Sequence, residues 1–283
     1  MRYTHSRMGS RTHKDIQMNR PIYPTSAMFP GLTLSQIIDA LQILKEEYHT
    51  LNLERLQICP QSFGTIDDNT VQFLRNTYPN IQFQLHSNVR ITLGKKPVHA
   101  NHRHPEALNY LKEFNRLTKS FGATVYSLHA GLRSQSSLED MYQNLRELNR
   151  RFEVTIAVEG MYPDRKNQYL LNSWQEYESL LSAGVPYAID LSHLNIVSTY
   201  ERHQNLPLTK SLLSNPWCME IHMSSNSGKA DSHLPIRHLQ QEWWYPALDH
   251  TNLHALIFAE ENHTAWLKTT YTNRQRIGQR VHT

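Results

Sequence analysis

Residues 124–160 read TVYSLHAGLRSQSSLEDMYQNLRELNRRFEVTIAVEG. Two short apolar runs, Thr124–His129 and Val154–Glu159, bracket a helical pattern over Leu138–Arg151. Each run ends on a side chain, His129 or Glu159, that is costly to bury unless it is paired or bound to metal. The same unit recurs in both directions along the chain. Further strands are predicted at Ile22–Ala27, Arg55–Cys59, Ile81–His86, Tyr187–Asp190, Met219–Met223 and Leu256–Glu260. Helices are predicted at Leu34–Tyr48, Thr70–Tyr78, Glu106–Ser120, Trp174–Ser182 and Leu206–Leu213. In the first helix Leu34, Ile37, Ile38, Leu41 and Leu44 fall on one face. Eight strand-then-helix units in a chain of 283 residues predict a single-domain α/β fold, a (β/α)8 TIM barrel. The alternative, an open doubly wound sheet, would carry a Gly-rich phosphate loop after its first strand, and none is present. The barrel domain is expected over 21–283, behind an N-terminal extension over 1–20.

Hydrophobic content of 39% and charged content of 19% suit a globular protein with a real core. No apolar run approaches the length of about 20 residues that crosses a bilayer. Met1–Arg20 holds no apolar stretch, so no secretory signal is expected and a cytoplasmic location is the default. Cys59 and Cys218 are too few for a disulfide framework or a thiolate zinc site, and both are expected to be buried. A net charge of +4 permits an anionic partner without demanding one, and the only basic cluster runs from Lys95 to Arg103. The 17 histidines are the unusual feature, since histidine is the commonest metal ligand.

Strand after strand ends in a potential ligand: His86, His129, Glu159, Asp190, His222 and Glu260. In a parallel barrel those ends converge on one mouth, where barrel active sites lie. One such histidine is more often a hydrogen-bonded structural group than a ligand; six strand ends alike are not what chance produces. Asp190-Leu-Ser-His193 adds an imidazole in the following loop, and Asp231-Ser-His233 adds a second carboxylate–imidazole pair. A mixed nitrogen and oxygen set suits zinc, manganese or iron rather than calcium. The last ligand is either Glu260 or Glu261, because neighbouring strand residues point to opposite faces. Nine ligands exceed the needs of one ion and predict two or three divalent ions, zinc first, with iron or manganese as alternatives.

With that ordered set in place, the sequence resembles the xylose-isomerase-like barrel superfamily, and within it the AP endonuclease family 2 enzymes of the endonuclease IV type. The resemblance spans roughly Pro21 to Asn262. It implies that His86, His129 and Glu159 hold one metal, that Glu159, Asp190, His222 and the terminal Glu hold a second, and that His193, Asp231 and His233 hold a third. It also implies a metal-dependent hydrolase of phosphate esters, with catalytic roles for Glu159 and for Glu260 or Glu261. The loop after His86 reads Ser87-Asn88-Val89-Arg90, with no aromatic side chain to wedge into a base stack. Leu234-Pro235-Ile236-Arg237 stands where that family is glycine-rich. The resemblance therefore carries the metals and leaves a small-molecule, peptide or nucleic-acid substrate open. One alternative is a sugar or sugar-phosphate isomerase or epimerase with one divalent ion, needing only Glu159, Asp190, His222 and the terminal Glu. Another is a multinuclear non-haem iron oxygenase acting on a peptide or small molecule, whose usual pattern has Asn where His193 stands. A barrel that only binds a ligand is the non-enzymatic reading. Arg90, Arg133 and Lys229, with Lys95 and Lys96, are candidate holders of an anionic substrate group, against the plainer reading of solvated surface charge. Trp243-Trp244-Tyr245 either lines the mouth or anchors the last loop. No membrane partner is expected, and the oligomeric state is not legible.

Overall fold

The computed structural model describes residues 20–48, 50–93 and 97–270. Most of the N-terminal extension expected over 1–20, Lys95 and Lys96, and the end of the barrel domain over 271–283 lie outside the described residues. Eight strands follow one another: β1 Ile22–Pro24, β2 Arg55–Ile58, β3 Gln82–Leu85, β4 Val125–His129, β5 Thr155–Glu159, β6 Tyr187–Asp190, β7 Cys218–Met223 and β8 Leu256–Ala259. Between them lie α1 Leu34–Glu47, α2 Asp68–Thr77, α3 Pro105–Ser120, α4 Leu138–Arg151, α5 Trp174–Ala183, α6 Leu191–Glu201 and α7 Leu206–Ser214.

All strand pairs are parallel, in the order β1-β8-β7-β6-β5-β4 with β2-β3 as a separate pair. Two seams join the pair to the larger sheet. At one, Thr25 bridges Gln57 and Asn52 N donates to Ile22 O at 2.8 Å. At the other, Ser87 N donates to Ser127 O at 3.1 Å. The result is a single-domain eight-stranded barrel, as the alternation of apolar runs and amphipathic segments predicts. Among the described residues no helix is long and apolar enough to cross a membrane.

The helices form where local chemistry allows. Thr33 and Gln36 close a capping box on α1, and Ser137 and Asp140 close another on α4. The predicted face of α1, Leu34 to Leu44, is buried against the barrel, and so are Cys59 and Cys218. Two connections differ from expectation. Asp190-Leu-Ser-His193 is not a strand end running into a loop, because α6 starts at Leu191. The Asp190 carboxylate accepts from Ser192 N at 2.6 Å and from His193 N at 3.1 Å, so one side chain both ends the strand and caps the helix. The link from β7 to β8 carries 3₁₀ turns at Leu239–Gln241 and Tyr245–His250 rather than an α-helix, in a stretch where Pro235 and Pro246 remove backbone donors.

Gly160 follows Glu159 directly and has no room for a side chain. A Cβ there would lie 2.3 Å from the ring of Tyr177, whose hydroxyl donates to Met161 O at 2.8 Å. Gly160→Ala is expected to lower unfolding stability by about 1–3 kcal/mol through overpacking, measured by urea denaturation of the two proteins side by side.

Candidate metal centre

The upper ends of the strands meet in one cavity of about 470 Å³. His86 follows β3, His129 and Glu159 end β4 and β5, Asp190 ends β6, and Glu260 follows β8. His193 enters from the first turn of α6, and Asp231 and His233 come from the loop after β7. All of these line the cavity, together with Cys59, Met161, Tyr162 and Tyr169. His222, on β7, is fully buried beside them. Strand register makes the neighbours: His129 pairs with Glu159, and Asp190 pairs with His222.

Glu159 is the hub. Its Oε2 lies 2.8 Å from His86 Nε2 and 3.6 Å from His129 Nε2. Its Oε1 lies 3.8 Å from His193 Nδ1 and 3.7 Å from His222 Nδ1. On the other side of the cavity, Asp231 Oδ2 lies 3.4 Å from His193 Nε2 and 3.1 Å from His233 Nε2. His233 adopts a left-handed backbone (φ 46°), which is uncommon outside glycine and aims its ring so that Nδ1 meets the Glu260 carbonyl oxygen at 3.1 Å.

Four groups of side chains bring ligand atoms close enough together to hold an ion: His86, His129 and Glu159; His86, His222 and Glu260; Glu159, Asp190 and His222; and Asp190, His193 and Asp231. The donor set suits zinc, iron or manganese. His222 tests the fit directly. Its Nδ1 is buried without a hydrogen-bond partner, 3.7 Å from Glu159 Oε1 and 3.7 Å from Glu260 Oε1, so the two carboxylates call for a proton or a cation there.

The cavity pulls its acids and bases apart. Burial opposes ionisation of Glu159, yet the imidazoles of His129 and His222 and the hydrogen bond from His86 hold its carboxyl well below the usual range. Glu260 is pushed up, chiefly by burial. Burial drives His129 down to about 4, so its imidazole is neutral and available as a ligand. His193 is also disfavoured by burial, but the carboxylates of Asp190, Asp231 and Glu159 together raise it to about 10.

Several expected residues are not brought to the cavity. The Glu261 carboxylate turns away and pairs with His263 Nε2 at 3.0 Å, so it is Glu260 that lines the site. Arg133 is held in a bidentate pair with Glu176, at 2.6 and 2.8 Å, and also donates to Asn172 Oδ1. Arg90 and Lys229 are exposed and line no part of the cavity. Trp244 is fully buried, while Trp243 Nε1 donates to Asn195 Oδ1 at 3.0 Å and its ring meets Trp174 edge-on. That aromatic cluster is an anchor for the loop.

Other contributors carried little or no sequence signal. Tyr162 and Tyr169 line one wall, and the Tyr162 ring lies 4.7 Å from that of His193. His99 lines the mouth with a buried, unpartnered Nδ1. Beneath His222, the buried side chains of Gln57, Gln84 and Glu220 share hydrogen bonds inside the barrel. Glu220 was visible in principle, because a residue two before His222 on a strand faces the same way.

No known family's sequence profile matches the chain, and no curated protein matches it in sequence. Its fold does match solved structures. A D-tagatose 3-epimerase-like protein superposes with a TM-score of 0.61 at 13% identity, covering 93% of this chain and 100% of that one. An AP endonuclease, family 2, from Brucella melitensis gives 0.59 at 11% identity, covering 86% and 93%. An IOLI protein with a bound zinc atom gives 0.56 at 13% identity, covering 85% and 88%. The chain shares the eight-stranded α/β barrel architecture of these structures. At such identities the likeness is one of architecture, and within this barrel the activity has to be argued from the site.

The His193 shift carries a pH dependence. A histidine raised from its ordinary 6.5 to about 10 in the folded state adds stability that is complete below pH 6.5 and lost as the pH rises through about 10. His233, raised to about 9, acts in the same direction. The thermal midpoint of the metal-free protein is expected to fall between pH 6.5 and 10, and the slope to flatten in His193→Gln, as followed by circular dichroism.

Proposed function

We propose that the chain is a multinuclear metal-dependent hydrolase of phosphate esters, with zinc as the first expectation for its ions. The overlap of the ligand groups supports this reading. Glu159 belongs to two of them and Asp190 to two, so adjacent ions would share carboxylates across one cavity. Asp231, His193 and His233 extend that set beyond what a single ion needs. In this reading Glu159, Asp190, His222 and Glu260 hold a central ion. His86 and His129 complete a second position with Glu159, and His193, Asp231 and His233 a third.

Divalent ions bound there supply Lewis acidity, neutralise phosphoryl charge and lower the pKa of water towards neutrality. The residues of the chain do the rest. Glu159 stays ionised between its imidazoles and fixes the distance between neighbouring positions. Glu260, buried in the cavity wall, would complete the central position as a carboxylate ligand. Tyr162 and Tyr169 offer a surface for the organic part of the ester.

A second reading, a sugar epimerase or isomerase with one ion, has its own support. Glu159 and Glu260 flank His222 and shift in opposite directions, the pattern of a base facing an acid. The D-tagatose 3-epimerase-like protein is a neighbour in fold. The two readings part at Asp231, which the epimerase does not need.

Metal content per chain, counted by plasma mass spectrometry, is expected to be two or three zinc ions, with turnover of bis(4-nitrophenyl) phosphate. One manganese ion and full activity of Asp231→Ala on a ketose would favour the epimerase, and two or three irons with oxygen uptake would overturn both. His222→Ala is expected to lose metal and to lower turnover by at least about 100-fold. Unchanged metal content in that variant would remove His222 from the site.

A further inference from the structure

We infer that Glu220 is a positioning residue that determines which nitrogen of His222 faces the metal ions; this rests on the metal-enzyme reading above. Glu220 sits in the middle of β7, fully buried, and does not line the cavity. Its carboxylate takes a hydrogen bond from each of three strands. Gln57 Nε2 donates to Oε2 at 2.9 Å from β2, Gln84 Nε2 donates to Oε1 at 2.6 Å from β3, and His222 Nε2 lies 3.1 Å from Oε2 on β7 itself. Arg55 extends the column downward, its Nη1 reaching Gln84 Oε1 at 3.4 Å with the guanidinium over the Tyr23 ring.

Both Glu220 oxygens already accept amide hydrogen bonds from Gln57 and Gln84, so an imidazole N–H is the donor that fits at Oε2 and the proton lies on His222 Nε2. The proton on Nε2 leaves Nδ1 as the lone-pair nitrogen. That Nδ1 is the buried atom without a hydrogen-bond partner, 3.7 Å from both Glu159 Oε1 and Glu260 Oε1. Glu220 thus holds the ring in one tautomer and one orientation, and the hydrogen bond it accepts makes Nδ1 a stronger donor to a cation. Glu220 is not itself a ligand. Amide donors and the imidazole N–H already occupy its oxygens, and the His222 ring separates it from the cavity.

The test uses the full chain loaded with zinc alone. Long-range proton–nitrogen correlation spectra of the labelled wild type are expected to show zinc on His222 Nδ1 and a proton on Nε2. Zinc affinity, measured by competition with a chelator, is expected to weaken about tenfold in Glu220→Gln and towards about 100-fold in Glu220→Ala. Thermal unfolding of the metal-free proteins separates that loss from a general loss of stability. Zinc on Nε2 in the wild type, or undiminished zinc affinity in Glu220→Gln, would overturn the role of Glu220 and leave the metal reading standing. A wild-type chain that retains no zinc would overturn the metal reading itself, and this inference with it.

Discussion

An ionised carboxylate that is only 2% exposed has to be compensated from close by, and Glu159 is compensated by His86, His193 and His222, with the neutral ring of His129 also beside it. Left alone at the end of β5 it would either take up a proton or cost several kcal/mol of desolvation. The four imidazoles reach it from four different elements: the turn after β3, the end of β4, the start of α6 and the body of β7. They can do so only because parallel strands closed into a barrel point their ends at one axis. The closure of the barrel and the ionisation of Glu159 are therefore linked, since loosening one strand would strand a charge.

The inside of the barrel is unusually polar beneath that charge. A barrel of this kind is ordinarily filled by layers of branched apolar side chains. Here Gln57, Gln84 and Glu220 occupy the layer under His222 and hydrogen-bond across the lumen, although Gln57 Oε1 is buried without a partner. A network of this sort is costly if half satisfied and rigid if complete. The cavity walls above it rest on loops tied down by local backbone devices. Asp190 caps α6 and so presents His193, while the left-handed turn at His233 brings that ring against the end of β8.

The barrel was legible because period and spacing carry it. Short apolar runs set the strands, and the face of α1 from Leu34 to Leu44 set the first helix; β1 alone ends three residues short of the expected Ala27, where a 3₁₀ turn begins at Ser26. The strand-end side chains that line the cavity were legible for the same reason: a His, Asp or Glu that closes an apolar run has little alternative to the mouth. α6 was not read, because Asp190 looks the same whether it ends a strand or caps a helix. The place of the basic residues was left open by the sequence for an equally local reason. Arg133 is as charged in the chain as any phosphate holder, and only its partner Glu176, far along the sequence, shows that it is already engaged.

What the sequence by itself determined is the set of chemical groups and their order along eight strands, since hydrophobic periodicity is a property of neighbours in the chain. What only the tertiary structure decided is which of those groups meet. Glu260 rather than Glu261 reaches the cavity because of where β8 stops, and Glu220 underlies His222 because Gln57 and Gln84 from two other strands arrive at the same depth. Those outcomes depend on register and closure across the barrel, and distances between strands are not written in the order of residues along any one of them.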